Sequence, residues 1–202
     1  VVTDLELHLW RHPPLRAAEG LCVGALDWPL DARRARRLAR RIEAHARTHL
    51  LPRAIAASPL SRCRAVAEHL RALGWRVRID ARLTELDFGR WQGRRWQDIA
   101  REQITAWERD FLHFRPGGGE SLAELRARLA AFIEDAARGR APPLAITHAG
   151  CIGALMTLAH ASPSAADWPA PPRCGGYLRL VVRAAAAGAA APARASATNA
   201  RR

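Results

Sequence analysis

Two histidines each follow a short apolar run. His12 ends Leu5-Glu6-Leu7-His8-Leu9-Trp10-Arg11-His12, and His148 ends Leu144-Ala145-Ile146-Thr147-His148. Groups placed just past the carboxyl ends of strands in an open α/β sheet sit where loops converge on a ligand. Arg11 stands beside the first histidine. Arg62 follows Ser58-Pro59, a helix-start signal, and free backbone N–H groups and the helix dipole favour an anion there. Two guanidiniums and two imidazoles around one point suit a phosphoryl group, whose oxygens match the guanidinium fork. One imidazole can serve as nucleophile, and a carboxylic acid can protonate the leaving oxygen. Glu85, in Leu83-Thr84-Glu85-Leu86-Asp87-Phe88-Gly89, supplies a carboxyl group, with Asp87 as the alternative.

The elements that must position these groups alternate. Residues 5–10 read as a strand, 13–30 as a Pro- and Gly-rich loop, and 31–50 as a helix. Residues 53–57 form a strand, after which Ser58 caps a helix with Pro59 in its first position. Its expected core face is Cys63, Val66, Ala67, Leu70 and Leu73, and Gly74 ends it. Residues 75–79 alternate as a strand. The pattern then loosens from Asp80 to Gly119, with a short helix capped by Thr105 and Glu108. A long segment of this kind reads as an insertion or lid, about residues 90–119. Ser121 and Glu124 form a capping box before a helix with Leu122, Leu125, Leu129, Phe132 and Ile133 on one face. A strand at 143–147, a helix over 151–160 and a strand near 176–183 follow. The expectation is an α/β fold: a three-layer α/β/α sandwich with a mostly parallel central sheet. Residues 1–183 would form one catalytic domain, and the Ala-, Pro- and Arg-rich residues 184–202 a disordered tail.

Composition narrows the function classes. The chain of 202 residues is 49% hydrophobic and 25% charged, as in ordinary globular domains. No stretch approaches the ~18 apolar residues of a membrane helix. With no signal-peptide pattern at the start, the chain reads as cytoplasmic, with no membrane partner. Cys22, Cys63, Cys151 and Cys174 are widely spaced and read as free thiols, neither a disulfide framework nor a zinc site. The net charge is +13 and all 32 basic residues are arginine. The densest cluster, between Arg33 and Arg41, lies opposite the apolar stripe Ala35, Leu38, Ala39, Ile42 and Ala46. It reads as a solvated face rather than a nucleic-acid surface.

The five blocks Leu9-Trp-Arg11-His12, Ser58-Pro-Leu-Ser-Arg62, Glu85-Leu-Asp-Phe-Gly-Arg-Trp-Gln-Gly93, Gly118-Gly-Glu-Ser121 and Thr147-His148-Ala-Gly150 resemble the histidine phosphatase superfamily, in its phosphoglycerate-mutase-like branch. The likeness runs from about residue 5 to 182. It implies that His12 becomes a phosphohistidine, that Arg11, Arg62 and His148 hold the phosphoryl oxygens, and that Glu85 acts as acid and then base. It implies no metal or other cofactor, and a phosphorylated small molecule as substrate. Arg11-His12-Pro13, the segment Gly20–Leu30 and the run Trp107–Ser121 are similar to the α-ribazole phosphatase group of cobalamin biosynthesis. One departure is Pro13, where the broader family has glycine: proline donates no N–H and holds His12 extended. Residues 14–18 also lack the hydroxyl and amide side chains of the mutases. Remaining phosphate contacts would then come from Arg16 or the backbone around Gly24, with Ala149 at the second histidine and His113 reaching in from the insertion. The other readings are a broad sugar or nucleotide monophosphatase, or a non-catalytic phosphoryl-binding module.

The remaining histidines and tryptophans read as structural. His8 alternates with Leu7 and Leu9 as a strand residue. His45 and His49, one helical turn apart, read as exposed helix residues rather than zinc ligands. Trp91, Trp96 and Trp107 either pack the insertion onto the sheet or stack on an aromatic leaving group.

Overall fold

The computed structural model describes residues 3–184 and 195–198. In chain order the elements are β1 (Thr3–Arg11), α1 (Ala32–Thr48), β2 (Ala54–Ala57), α2 (Ser61–Ala72), β3 (Arg76–Ile79), α3 (Arg101–Arg109), α4 (Leu122–Ala137), β4 (Leu144–Thr147), α5 (Ala149–Met156), β5 (Tyr177–Ala184) and β6 (Ala195–Thr198). The sheet order is β3-β2-β4-β1-β5-β6. β3, β2, β4 and β1 are mutually parallel, while β5 pairs antiparallel with β1 and β6 antiparallel with β5. The fold is therefore α/β with a mostly parallel mixed sheet.

The two-residue alternation of β1 divides its side chains between two cores. Leu7 and Leu9 join Leu125, Leu129, Phe132 and Ile152 beneath α4 and α5. Trp10 faces the other way, with Leu38, Ile42, Val66 and Leu70 of α1 and α2. β2 and β4 are buried along their whole length, as helices on both faces require. The order of β1, β4 and β2 brings their carboxyl ends side by side, at Arg11, Thr147 and Ala57. A smaller core of Cys22, Trp91 and Ile99 holds the insertion down.

Several local expectations change. Ser58 does not cap α2; the helix starts at Ser61, and its N-cap residue Leu60 makes no side-chain cap bond. Asp27 provides the cap from a distance, accepting the Ser61 N–H and hydroxyl at 2.6 and 2.8 Å. Leu73 is exposed because the helix has already ended at Ala72. Thr105 lies inside α3, whose N-cap residue is Ala100. The capping box of Ser121 and Glu124 forms as expected. His45 is half-buried, with its ring 4.3 Å from that of Tyr177 and 5.4 Å from that of Trp10, whereas His49 is exposed. His8 bonds the Tyr177 hydroxyl at 2.8 Å and pairs with Glu6. Within the tail, Ala195–Thr198 adds an edge strand; the rest of 185–202 lies outside the described residues. Among the described residues, no helix is long and apolar enough to cross a membrane.

Candidate active site

A cavity of about 590 Å³ opens above the carboxyl ends of β1, β2 and β4, with Arg11, His12, Arg62 and Glu85 on its wall. His12 is 8% exposed. Its Nδ1 lies 2.7 Å from the Pro13 carbonyl oxygen, which can only accept, so Nδ1 carries the proton. Nε2 is left with the lone pair. Burial, and then the Arg62 charge, pull the imidazole down to about 3, against the Pro13 carbonyl, which favours the charged form. His12 is therefore a neutral imidazole at physiological pH, with one nitrogen fixed and the other available. Pro13 withholds an N–H from the site, but its carbonyl sets the tautomer.

Arg62, in the first turn of α2, is 2% exposed. A buried guanidinium costs several kcal/mol unless its donors are satisfied. Here Nη1 donates to the Leu26 carbonyl at 2.7 Å, Nη2 to the Gly24 carbonyl at 2.6 Å and Nε to His148 Nδ1 at 3.1 Å. Two of its five N–H groups remain for a ligand. The second of those acceptors belongs to Gly24, which has φ +51° and presses against Gln92 and Phe88 too closely for any side chain.

Because Arg62 donates to Nδ1, the His148 proton sits on Nε2 and is donated to Ser58 Oγ at 2.8 Å. Ser58 was expected at a helix cap and is instead the hydrogen-bond acceptor of this histidine. His148 is wholly buried behind the cavity wall, its ring 5.1 Å from that of His12. Burial, and next the neighbouring His12, hold it well below the ordinary histidine range.

Glu85 reaches the cavity from the segment after β3. Its Oε1 accepts the Leu86 N–H at 3.0 Å and its Oε2 the Gly150 N–H at 3.1 Å. Asp87 instead accepts the Gly89 N–H at 2.8 Å and stands off the wall, so of the two candidates Glu85 is the one that faces the site. Arg11 donates to the Pro172 carbonyl at 3.1 Å, and its buried Nε has no partner among the described residues.

Gly24 and Ala149 line the cavity. His113 is exposed and lies off its wall. Arg16 begins a 3-10 turn, and its side chain lies outside the described residues. The outer wall is aromatic, with Phe88, Trp96, Trp107 and Trp168. Trp96 and Trp107 stack at 6.5 Å. Trp91 is 2% exposed and takes the packing role. A smaller apolar recess of about 180 Å³ adjoins, between Trp107, Phe111 and Trp168. Trp168 escaped sequence reasoning because it sits in a Pro- and Ser-rich stretch with no periodicity.

The model of the histidine phosphatase superfamily, branch 1, matches residues 7–183. A probable phosphoglycerate mutase, GpmB, of Klebsiella pneumoniae is 32% identical over 176 residues, covering 81% of this chain and 78% of the relative. The solved mycobacterial glucosyl-3-phosphoglycerate phosphatase superposes with a TM-score of 0.73 at 25% identity, covering 89% and 91% of the two chains. The α-ribazole phosphatase of Shigella flexneri has the same fold, with a TM-score of 0.71, 24% identity and coverage of 87% and 90%.

Proposed function

The chain belongs to the histidine phosphatase superfamily, as a phosphatase-type hydrolase, and from that premise we propose a metal-independent phosphomonoesterase that works through a phosphohistidine at His12. The observation that carries this reading is the fixed tautomer of His12, which leaves Nε2 with a lone pair on the cavity wall. In the first step Nε2 attacks phosphorus, the bond to the leaving oxygen breaks, and the Glu85 carboxyl gives that oxygen its proton. In the second step water attacks the phosphohistidine, Glu85 takes the water proton, and phosphate and free His12 result. Each Glu85 oxygen has one lone-pair position committed to a backbone amide, so a position remains for the travelling proton. Arg11 and Arg62 neutralise the spreading phosphoryl charge, and His148 acts behind them by orienting Arg62. This arrangement makes positioning and charge the main contributions, as phosphoryl transfer demands.

For the substrate we favour α-ribazole phosphate. The motif likeness supports it, as do the faces of Phe88, Trp96 and Trp107, which suit a flat heteroaromatic leaving group. Pro13 and the apolar run Pro14-Leu15 argue against a mutase reaction on a small, highly charged phosphoglycerate. A broader phosphatase acting on sugar or nucleotide monophosphates is the second reading, since the cavity exceeds what one phosphoryl group fills.

The test is hydrolysis of 4-nitrophenyl phosphate and α-ribazole phosphate, with chelator present, by the wild type and His12→Ala. Turnover that survives chelation and disappears in the variant supports the histidine route, and a strong preference for α-ribazole phosphate supports that substrate. Activity unchanged in His12→Ala rejects the nucleophile.

A further inference from the structure

The segment that carries Glu85 has no strand to pair with, yet four successive carbonyls along it are satisfied by side chains. The Arg82 carbonyl accepts from Arg128 Nη1 at 2.6 Å, Leu83 from Thr147 Oγ1 at 2.8 Å, Thr84 from Cys151 Sγ at 3.0 Å, and Glu85 from Arg128 Nη2 at 3.3 Å. A single side chain, Arg128 of α4, holds both ends of the segment. The rest of its fork is a paired contact with Glu120, Nε to Oε1 at 2.7 Å and Nη2 to Oε2 at 2.8 Å. Glu120 in turn donates its backbone N–H to the Asp87 carbonyl at 2.7 Å. The Gly150 N–H thus holds the Glu85 carboxylate directly, and Arg128 holds the backbone that carries it. Arg128 is not on the cavity wall.

We propose that Arg128, locked by Glu120, is the positioning residue of Glu85, fixing the height at which its carboxyl group meets the leaving oxygen. The proposal rests on Glu85 being the acid. A planar guanidinium is required because four acceptors lie in different directions around it. An ammonium of the same charge is a single point and cannot span the Arg82 and Glu85 carbonyls together with both Glu120 oxygens.

A merely structural arginine would affect all substrates alike, whereas one acting through the acid matters most when the leaving group needs a proton. The experiment compares kcat/KM for 2-phenylethyl phosphate, a poor leaving group, with that for 4-nitrophenyl phosphate, a good one. The variants are Arg128→Lys, Glu85→Gln and the double variant. Loss of a general acid costs about 10²–10⁴-fold. Glu85→Gln is expected to lose at least that lower factor on the alkyl ester and far less on the nitrophenyl ester. Arg128→Lys is expected to lose about tenfold or more on the alkyl ester and less than about threefold on the other, with no further change of ratio in the Glu85→Gln background. If Glu85→Gln shows the split and Arg128→Lys lowers both substrates equally, or neither, the positioning role is overturned and the acid stands. If Glu85→Gln itself shows no split, the acid assignment falls and takes the proposal with it. Should Arg128→Lys not fold, Glu120→Gln carries the test: it loosens the fork, keeps every backbone contact, and must show the same selective loss.

Discussion

Gly150→Ala isolates the geometry of the acid from its chemistry. Gly150 is the second residue of α5, in an ordinary helical conformation, so alanine raises no backbone conflict. A methyl group there would lie 2.5 Å from Glu85 Oε1 and 3.3 Å from its carboxyl carbon. An ordinary contact needs about 3.5 Å, so the carboxylate must withdraw by roughly 1 Å. It cannot do so freely, because Leu86 holds one oxygen and the segment behind it is anchored. A misplacement of about 1 Å at a reacting group costs on the order of 10²-fold, or about 2.7 kcal/mol in barrier. Helix propensity runs the other way, since alanine is favoured over glycine by up to about 1 kcal/mol. The variant is thus expected to be at least as stable as the wild type and about a hundredfold slower in kcat/KM for an alkyl phosphate. Inhibition by inorganic phosphate should change little, because the arginines are untouched. Thermal unfolding, steady-state kinetics and phosphate inhibition measure the three quantities. A folded Gly150→Ala enzyme with wild-type kcat/KM would refute the placement of Glu85 as acid.

Acid should destabilise the fold before its carboxylates titrate. His12 and His148 have folded-state values depressed below the ordinary 6.5, so the folded state binds fewer protons than the unfolded one. Stability is then full above about pH 6.5 and falls as pH drops below it, by up to about 1.4 kcal/mol per pH unit for each histidine. Urea midpoints at pH 7 and 5 should show the fall, and His12→Asn should reduce it; a flat profile would contradict the burial argument. Asp27→Ala removes the acceptor of the Ser61 N–H and hydroxyl, so it should lower stability by about 1 kcal/mol, as loss of a helix cap does. Chemical denaturation checks this, and no change would mean that α2 is capped by other means.

The sequence made the fold legible where periodicity was strong. α1 shows its stripe of Ala35, Leu38, Ala39, Ile42 and Ala46 buried, with its arginines turned outward, and the capping box at Ser121 forms as its spacing implies. Arg11, His12 and Arg62 could be placed because each follows a strand or opens a helix, and such positions converge in this topology; Glu85, on an irregular segment, is marked by its motif alone. What stayed hidden are contacts between residues far apart in the chain. Asp27 caps a helix 34 residues later, and Ser58 serves His148 rather than the helix that follows it. His45 looked like half of an exposed pair because nothing local shows that Tyr177 will arrive beside it. Nothing in the sequence around Arg128 marks it out, because its contacts are with an irregular segment whose path has no periodic signal.

The site must satisfy two demands that pull against each other. A phosphoryl dianion needs concentrated positive charge, yet the nucleophile beside it must stay unprotonated. Arg11 and Arg62 meet both, because guanidiniums keep their charge at any working pH, and the same field that attracts the anion drives the proton off His12. Burial is the larger cause of the second effect and also removes water that would screen the first. The opposing contact is the Pro13 carbonyl, which favours the protonated ring yet also decides which nitrogen is free. Its position ahead of Pro14, at a residue with no N–H of its own, fixes the chain where that carbonyl must point. A glycine at residue 13 would gain an amide for the anion and lose that stiffness, exchanging a phosphate contact for a less certain nucleophile.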